Sequence, residues 1–395
     1  MNIVDVVTRV DAERIYQHVL KLEGVKHPVD SPQKLNEAAD YIHSEFEKYG
    51  LAVTEHEFKI EGLVDTLRNI EGAISHEDGP ELLVTSHYDT YPAAPGADDN
   101  ASGVAVMLEA ARVLAQEKDA RNIRFISFME EPNPVYELRL RRVAQSLGLM
   151  DDRHRFTTMH AQKVMRQLRT LRRQAIDAGK EYSEAVSEAR SQLEGQMTES
   201  ERKYVQQMEK NHRGTTNTSL PGKYFCLGSA SWVENALRSG KKVLGVINLD
   251  MVGYASDKQH SQTYPKGLDP KMLQTYHVND LTIDNFIIIL GKADSGKLIQ
   301  SFCAQSKLDS IDLPYACLQV PFDYQVIARR MWDLLIADHA PFWRAGIPAI
   351  SLTDGGQFRL PYYHTPADTI DKLDFDFAAK ICKATIATAI DTMTS

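Results

Sequence analysis

The chain of 395 residues carries 45 basic and 54 acidic side chains, a formal charge of -9, and is 43% hydrophobic. Such a composition can bury a substantial core in one large domain or two smaller ones. Its net acidity argues against a nucleic-acid protein, which needs a positive face for phosphate. Cys226, Cys303, Cys317 and Cys382 lie far apart with no CxxC spacing, which argues against a thiolate zinc site and against a disulfide framework.

The opening stretch MNIVDVVTRVDAERIYQHVLKLEG has early acidic residues and no unbroken apolar run, unlike a secretory signal. No later segment reaches the roughly 18 apolar residues that span a bilayer. The expectation is a cytoplasmic protein with reduced thiols and no membrane contact. In SPQKLNEAADYIHSEFEKYG, Ser31 stands as N-cap, Pro32 at the first helical position and Gly50 just past the end, with Leu35, Ala39, Ile42 and Phe46 on one face. Extended segments follow at 51–60 and 67–75, then a buried strand at 82–85 in ELLVTSHYDT. The loop YPAAPGADDNASG leads into a helix over 103–114, and 123–128 is again a strand. Strand, helix and strand in this order indicate a doubly wound α/β fold.

After Pro134 the strand signal stops for about 85 residues. Val164, Leu168, Leu171 and Ala175 form one apolar helical stripe, and a second helix is expected over about 181–210, with Gly179 between them. This reads as a helical hairpin over 135–221 inserted into a domain made of 1–134 and 222–395. The α/β pattern resumes with strands in KKVLGVINLDMVGY, NFIIILG and IPAISLTDG and a C-terminal helix in FAAKICKATIATAIDTM.

In open α/β sheets the functional crevice lies outside the carboxyl ends of the strands. His87 and Asp89, Asp99, Glu130 and Glu131, Asp250 and His364 all fall at such ends or in the loops beside them. Singly, each reads as well as a surface pair, a turn former or a helix cap. Their shared address favours a site for zinc or another borderline divalent ion, since imidazole and carboxylate are present without thiolate.

SHYDT, PGADDNASG, FMEE, INLDMVGY, DHAPFWRAGIPA and YYHTPADT resemble, in order, the motif set of the M28 family of zinc peptidases, over the whole chain except the inserted region. The resemblance implies a three-layer α/β fold of the zinc-exopeptidase kind, with a mixed, mostly parallel sheet between helices. It implies two zinc ions bridged by Asp99, one also held by His87 and Asp250, the other by Glu131 and His364. Asp89 would hold the other nitrogen of His87, Glu130 would act as general base and then acid, and Tyr363 would donate to the oxyanion. Asp338 and His339 would cap a helix or support the ligands. Cobalt or manganese suits the same donors.

The implied activity is that of an aminopeptidase acting on peptides. A carboxypeptidase or an amide hydrolase acting on modified amino acids would use the same core, and Arg359, near His364, could then read a terminal carboxylate. A glutaminyl-cyclase-like protein would use one zinc, and a non-catalytic binding protein would have lost ligands, whereas all five positions are kept. In the family a Gly-Ser pair and a helix follow the paired glutamates closely, but LGSASWVENAL arrives here only at Leu227. The intervening basic segment reads as a solvated hairpin that packs on its neighbour or, since its apolar stripe needs something to cover, as a lid over the site or a contact to a second copy of the chain.

Overall fold

The computed structural model describes residues 2–74, 79–118, 120–129, 133–151, 155–265 and 268–394. Its strands are β1 (Ala52–Phe58), β2 (Leu67–Ile74), β3 (Glu81–His87), β4 (Ile123–Phe128), β5 (Val243–Leu249), β6 (Gln274–Tyr276), β7 (Ile287–Lys292), β8 (Tyr315–Val320) and β9 (Ala349–Thr353). They make one mixed sheet in the order β1-β2-β4-β3-β5-β9-β7-β8-β6. Its centre, β4-β3-β5-β9, is parallel, and the β1–β2, β2–β4, β7–β9 and β6–β8 pairs are antiparallel.

The central strands are apolar throughout because both faces are covered. Leu82 and Val84 of β3 enter one core with Phe125 and Ile247, while Leu83 enters the opposite core with Ile126 and Val246. Helices α1 (Ile3–Val7), α2 (Ala12–Leu22), α3 (Pro32–Lys48) and α4 (Gly103–Leu114) cover the first face. There Pro32 starts α3 and Leu35, Ala39, Ile42 and Phe46 are buried, but the Ser31 side chain makes no capping bond. Helix α4 carries the chain from β3 to β4, and β5 then pairs with the other side of β3. The β3–β5 boundary is therefore a topological switch point, where such sheets open a crevice.

Between β4 and β5 come α5 (Pro134–Ser146), α6 (Met159–Asp177), α7 (Tyr182–Leu193), α8 (Glu199–Asn211) and α9 (Leu227–Ser239). The helix expected over 181–210 is thus two helices. The first ends in a short 3-10 turn through Gly195, and a capping box between Thr198 and Glu201 starts the second. The apolar stripe of α6 is covered within the chain: Val164 and Leu168 pack with Ala189 and Leu193 of α7 and with Tyr204 and Val205 of α8. Polar ties fix these helices to the rest. Arg141 reaches Asp30 at 2.6 Å, Arg173 reaches Asp333 at 2.5 Å, and the Arg344 guanidinium donates to the Pro221 carbonyl at 2.8 Å.

Helices α10 (Gly296–Gln305), α11 (Tyr324–Arg330), α12 (His339–Arg344) and α13 (Phe375–Thr394) complete the layers; α10 and α13 join the first face, α11 and α12 the second. All four cysteines are buried, and none of them is in a disulfide. Among the described residues no helix is long and apolar enough to cross a membrane.

Two buried histidines make stability depend on pH. Burial pushes His212, set against Tyr182 and Tyr224, down to about 3, with Arg172 and Lys223 adding to it. Burial likewise pushes His18 down to about 4, against the opposing charge of Glu45. Below the ordinary value of 6.5 the unfolded chain binds protons that the folded chain refuses. Their contribution is therefore present above pH 6.5 and lost as pH falls toward the folded values, by about 1.4 kcal/mol per pH unit for each histidine. Urea unfolding at pH 7, 6 and 5 should show His212→Phe losing less stability than the parent protein as pH falls, because the variant no longer carries the imidazole that the folded chain keeps neutral. An unchanged slope in that variant would remove His212 from the account.

Candidate metal centre

His87 ends β3 and Asp250 directly follows β5, so neighbouring parallel strands bring them to the same edge. Asp99 arrives from the 97–102 turn, which side-chain bonds stitch to the chain after β5. The Asn100 amide donates to the Leu249 carbonyl at 2.8 Å, and its oxygen accepts from the Gly103 and Met251 amides at 3.0 and 3.1 Å. Asp98 accepts from the Gly253 amide at 2.9 Å, and the Ser102 hydroxyl accepts from Val252 at 3.1 Å. The Asp99–Asn100 peptide is cis. Gly96 starts the turn at φ 65°, and a Cβ there would lie 2.4 Å from both the Asp99 carbonyl and Thr90.

His87 Nε2 lies 3.3 Å from Asp99 Oδ1 and 3.5 Å from Asp250 Oδ1, and His364 Nε2 lies 3.1 Å from Asp99 Oδ2. Asp99 thus faces a different imidazole with each oxygen. Burial pushes its carboxyl up, but hydrogen bonds from His364 and His87 outweigh that and hold it well below its ordinary value. On its other side His87 Nδ1 is 3.4 Å from Asp89, which is fully buried. Ligand atoms of His87, Asp99 and Asp250 all fall within 4.8 Å of one another. This set of imidazole and carboxylate donors without thiolate fits zinc or a similar divalent ion.

His364, at φ 56°, stacks on Tyr363 with ring centres 3.8 Å apart and on Tyr91 at 4.1 Å. Asp338 precedes α12 but makes no capping bond, which corrects the capping alternative. Its buried carboxyl is pushed up to about 7 chiefly by burial, with the charge of His87 opposing. His339 instead meets the Leu334 carbonyl at 2.8 Å. Glu130 and Glu131 follow β4 and lie outside the described residues.

Arg359 does not line the cavity that holds His87, Asp99, Asp250 and His364. It is buried, donates to Gln262 at 2.8 Å and to the Phe286 carbonyl at 2.7 Å, and stacks on the Phe286 ring.

Sequence reasoning missed three neighbours of the centre. Asp368 accepts from the backbone amides of Asp98 and Asp99 at 2.9 and 3.2 Å, clamping the turn, and burial pushes its carboxyl up to about 6. The Lys26 ammonium is buried against the Leu22 and Gly24 carbonyls; burial pushes it down to about 8 while Asp89, Asp368 and Asp99 oppose. Tyr91 supplies the second ring against His364. Only Asp368 had a signal, its place in YYHTPADT. Asp368→Asn keeps one acceptor oxygen for two amides, so zinc affinity should fall roughly 10- to 100-fold. Titration against a competing chelator would measure this, and an unchanged affinity would show that the clamp is dispensable.

Residues 69–280 and 305–389 match the model of peptidase family M28. The chain belongs to that family. Its resemblance extends to YfbL of Escherichia coli, an uncharacterized protein, at 23% identity over 384 residues, 95% of this chain and 86% of that one. A 58-residue stretch is 52% identical to aminopeptidase YwaD of Bacillus subtilis, covering 15% of this chain and 12% of that protein. In fold it is similar to a Zn-dependent exopeptidase from Parabacteroides distasonis, with a TM-score of 0.55, 17% identity, and 97% and 99% of the two chains covered. This M28 chain is accordingly a peptidase of a zinc-dependent kind, built on the mixed α/β sheet described above.

Proposed function

We propose that this M28 peptidase is a di-zinc exopeptidase that removes residues from the N-termini of peptides. The observation that carries the reading is that His87 and His364 face different oxygens of Asp99, with Asp250 beside His87. A carboxylate with one oxygen toward each side is suited to bridge two cations. His87 and Asp250 would complete one position, Glu131 and His364 the other. Zinc, when bound, supplies Lewis acidity toward the scissile carbonyl and toward water.

The chain's own residues do the rest. Asp89 beside Nδ1 of His87 orients the ring so that Nε2 faces the centre. Glu130 takes a proton from the attacking water and delivers it to the leaving amine. The Tyr363 hydroxyl donates to the oxygen that gains charge in the tetrahedral state. Residues 135–221 act as a unit inserted into the catalytic domain and cover its substrate cavity, which Tyr182, Leu220 and Tyr224 help to line. The aminopeptidase assignment draws on the short, strong similarity to YwaD.

Mass-spectrometric sequencing of products from a defined mixture of free-ended peptides tests the reading, with zinc-loaded protein beside Glu130→Gln. Stepwise loss from N-termini, abolished by the substitution, is the expected result. Loss from C-termini would reverse the specificity, and no cleavage by folded, loaded protein would refute the assignment.

A further inference from the structure

The metal centre opens into a cavity of about 400 Å³ whose lining includes His87, Asp99, Asp250 and His364. Small-ligand sites span roughly 300–1,000 Å³, so this space holds a short peptide better than a long one. Arg172, from α6, lines the same cavity beside Tyr182 and Trp332. Its guanidinium lies 5.0 Å over the Tyr182 ring, whose edge-on contact with His212 fixes the stacking surface.

The neighbouring charges are already committed. Arg173 is engaged by Asp333, the acidic side chain of the lining outside the metal centre, and also by Asp177. Among the described residues, Arg172 is the one lysine or arginine that lines the cavity, and no described carboxylate lies within ion-pair distance of it. An arginine held flat on an aromatic ring keeps its planar fork of donors for a carboxylate.

We propose that Arg172 reads the terminal carboxylate of a di- or tripeptide whose scissile bond lies at the metal centre. The inserted helices thereby set a length limit on the substrate. Apolar surroundings from Leu220, Tyr224 and Phe225 favour an apolar C-terminal residue. The inference rests on the peptidase reading and narrows it to short, free-ended peptides.

Calorimetry on full-length, zinc-loaded protein tests it, using the reduced-bond pseudodipeptide of Leu-Phe as free acid and as carboxamide. The acid should bind at least about tenfold more tightly, and Arg172→Gln, checked for folding by circular dichroism, should bring the acid down to the amide's affinity. Equal binding of acid and amide by the parent protein, or a gap that survives Arg172→Gln, would overturn the assignment. So would equally tight binding of the reduced Leu-Glu carboxamide, which carries its carboxylate on a side chain. Cleavage of ordinary Leu-Phe by the same preparation is scored separately: a binding gap without cleavage overturns the peptidase reading and supports Arg172, and cleavage without a gap does the reverse.

Discussion

Asp99→Asn should abolish peptide hydrolysis, lowering kcat/KM on the order of a thousandfold or more, about 4 kcal/mol of lost transition-state stabilisation. Each Asp99 oxygen faces one imidazole, at 3.3 Å for His87 and 3.1 Å for His364. Asparagine replaces one of those oxygens by an NH2 group, which can neither bridge two cations nor accept from the second histidine. The fold should persist, because the 97–102 turn is tied to the chain after β5 through Asp98, Asn100 and Ser102 rather than through the Asp99 side chain. Loss of activity and reduced zinc content in a protein that still unfolds cooperatively is the expected combination. A variant that kept both zinc and rate would end the bridging role.

Gly103→Ala should do comparable damage by geometry alone. A Cβ at Gly103 would sit 2.3 Å from the Asn100 side-chain oxygen and 2.6 Å from the Leu249 carbonyl. The carbonyl belongs to the end of β5 and cannot retreat, and the Asn100 side chain is held by Leu249, Met251 and Gly103 itself. The methyl group must therefore break that bolt or push the 97–102 turn away from β5. Overpacking and lost hydrogen bonds together should cost about 3 kcal/mol of stability. Since the turn carries Asp99, activity should also fall, by roughly a hundredfold. Gly195→Ala is the control: nothing lies within 4 Å of that position, and its φ is not positive. If both substitutions lowered the urea midpoint equally, the clash would not be the cause.

The central sheet was legible because β3, β4 and β5 are buried on both faces and so appear as uninterrupted apolar runs. Strand β8, YACLQV between Pro314 and Pro321, passed unnoticed, and three-residue β6 is too short to carry a pattern. The break between α7 and α8 carries a local signal in TESE at 198–201, a capping box. At the candidate site, His87 and Asp250 share an edge because β3 and β5 run parallel, and the structure brings Asp99 and His364 beside them from a turn and a loop. Lys26 and Tyr91 lie on loops with no periodicity to reveal them, and tertiary packing alone brings them in. Arg359 and Arg172 teach the complementary point. Proximity in sequence to His364 favoured Arg359, yet Gln262 and the Phe286 carbonyl engage it, while Arg172 reaches the cavity from α6.

The most direct test of the central claim is anomalous diffraction at the zinc edge from crystals of zinc-loaded protein. The account predicts two peaks that share Asp99, one completed by His87 and Asp250 and the other beside His364. A single peak, or zinc bound away from Asp99, would contradict it.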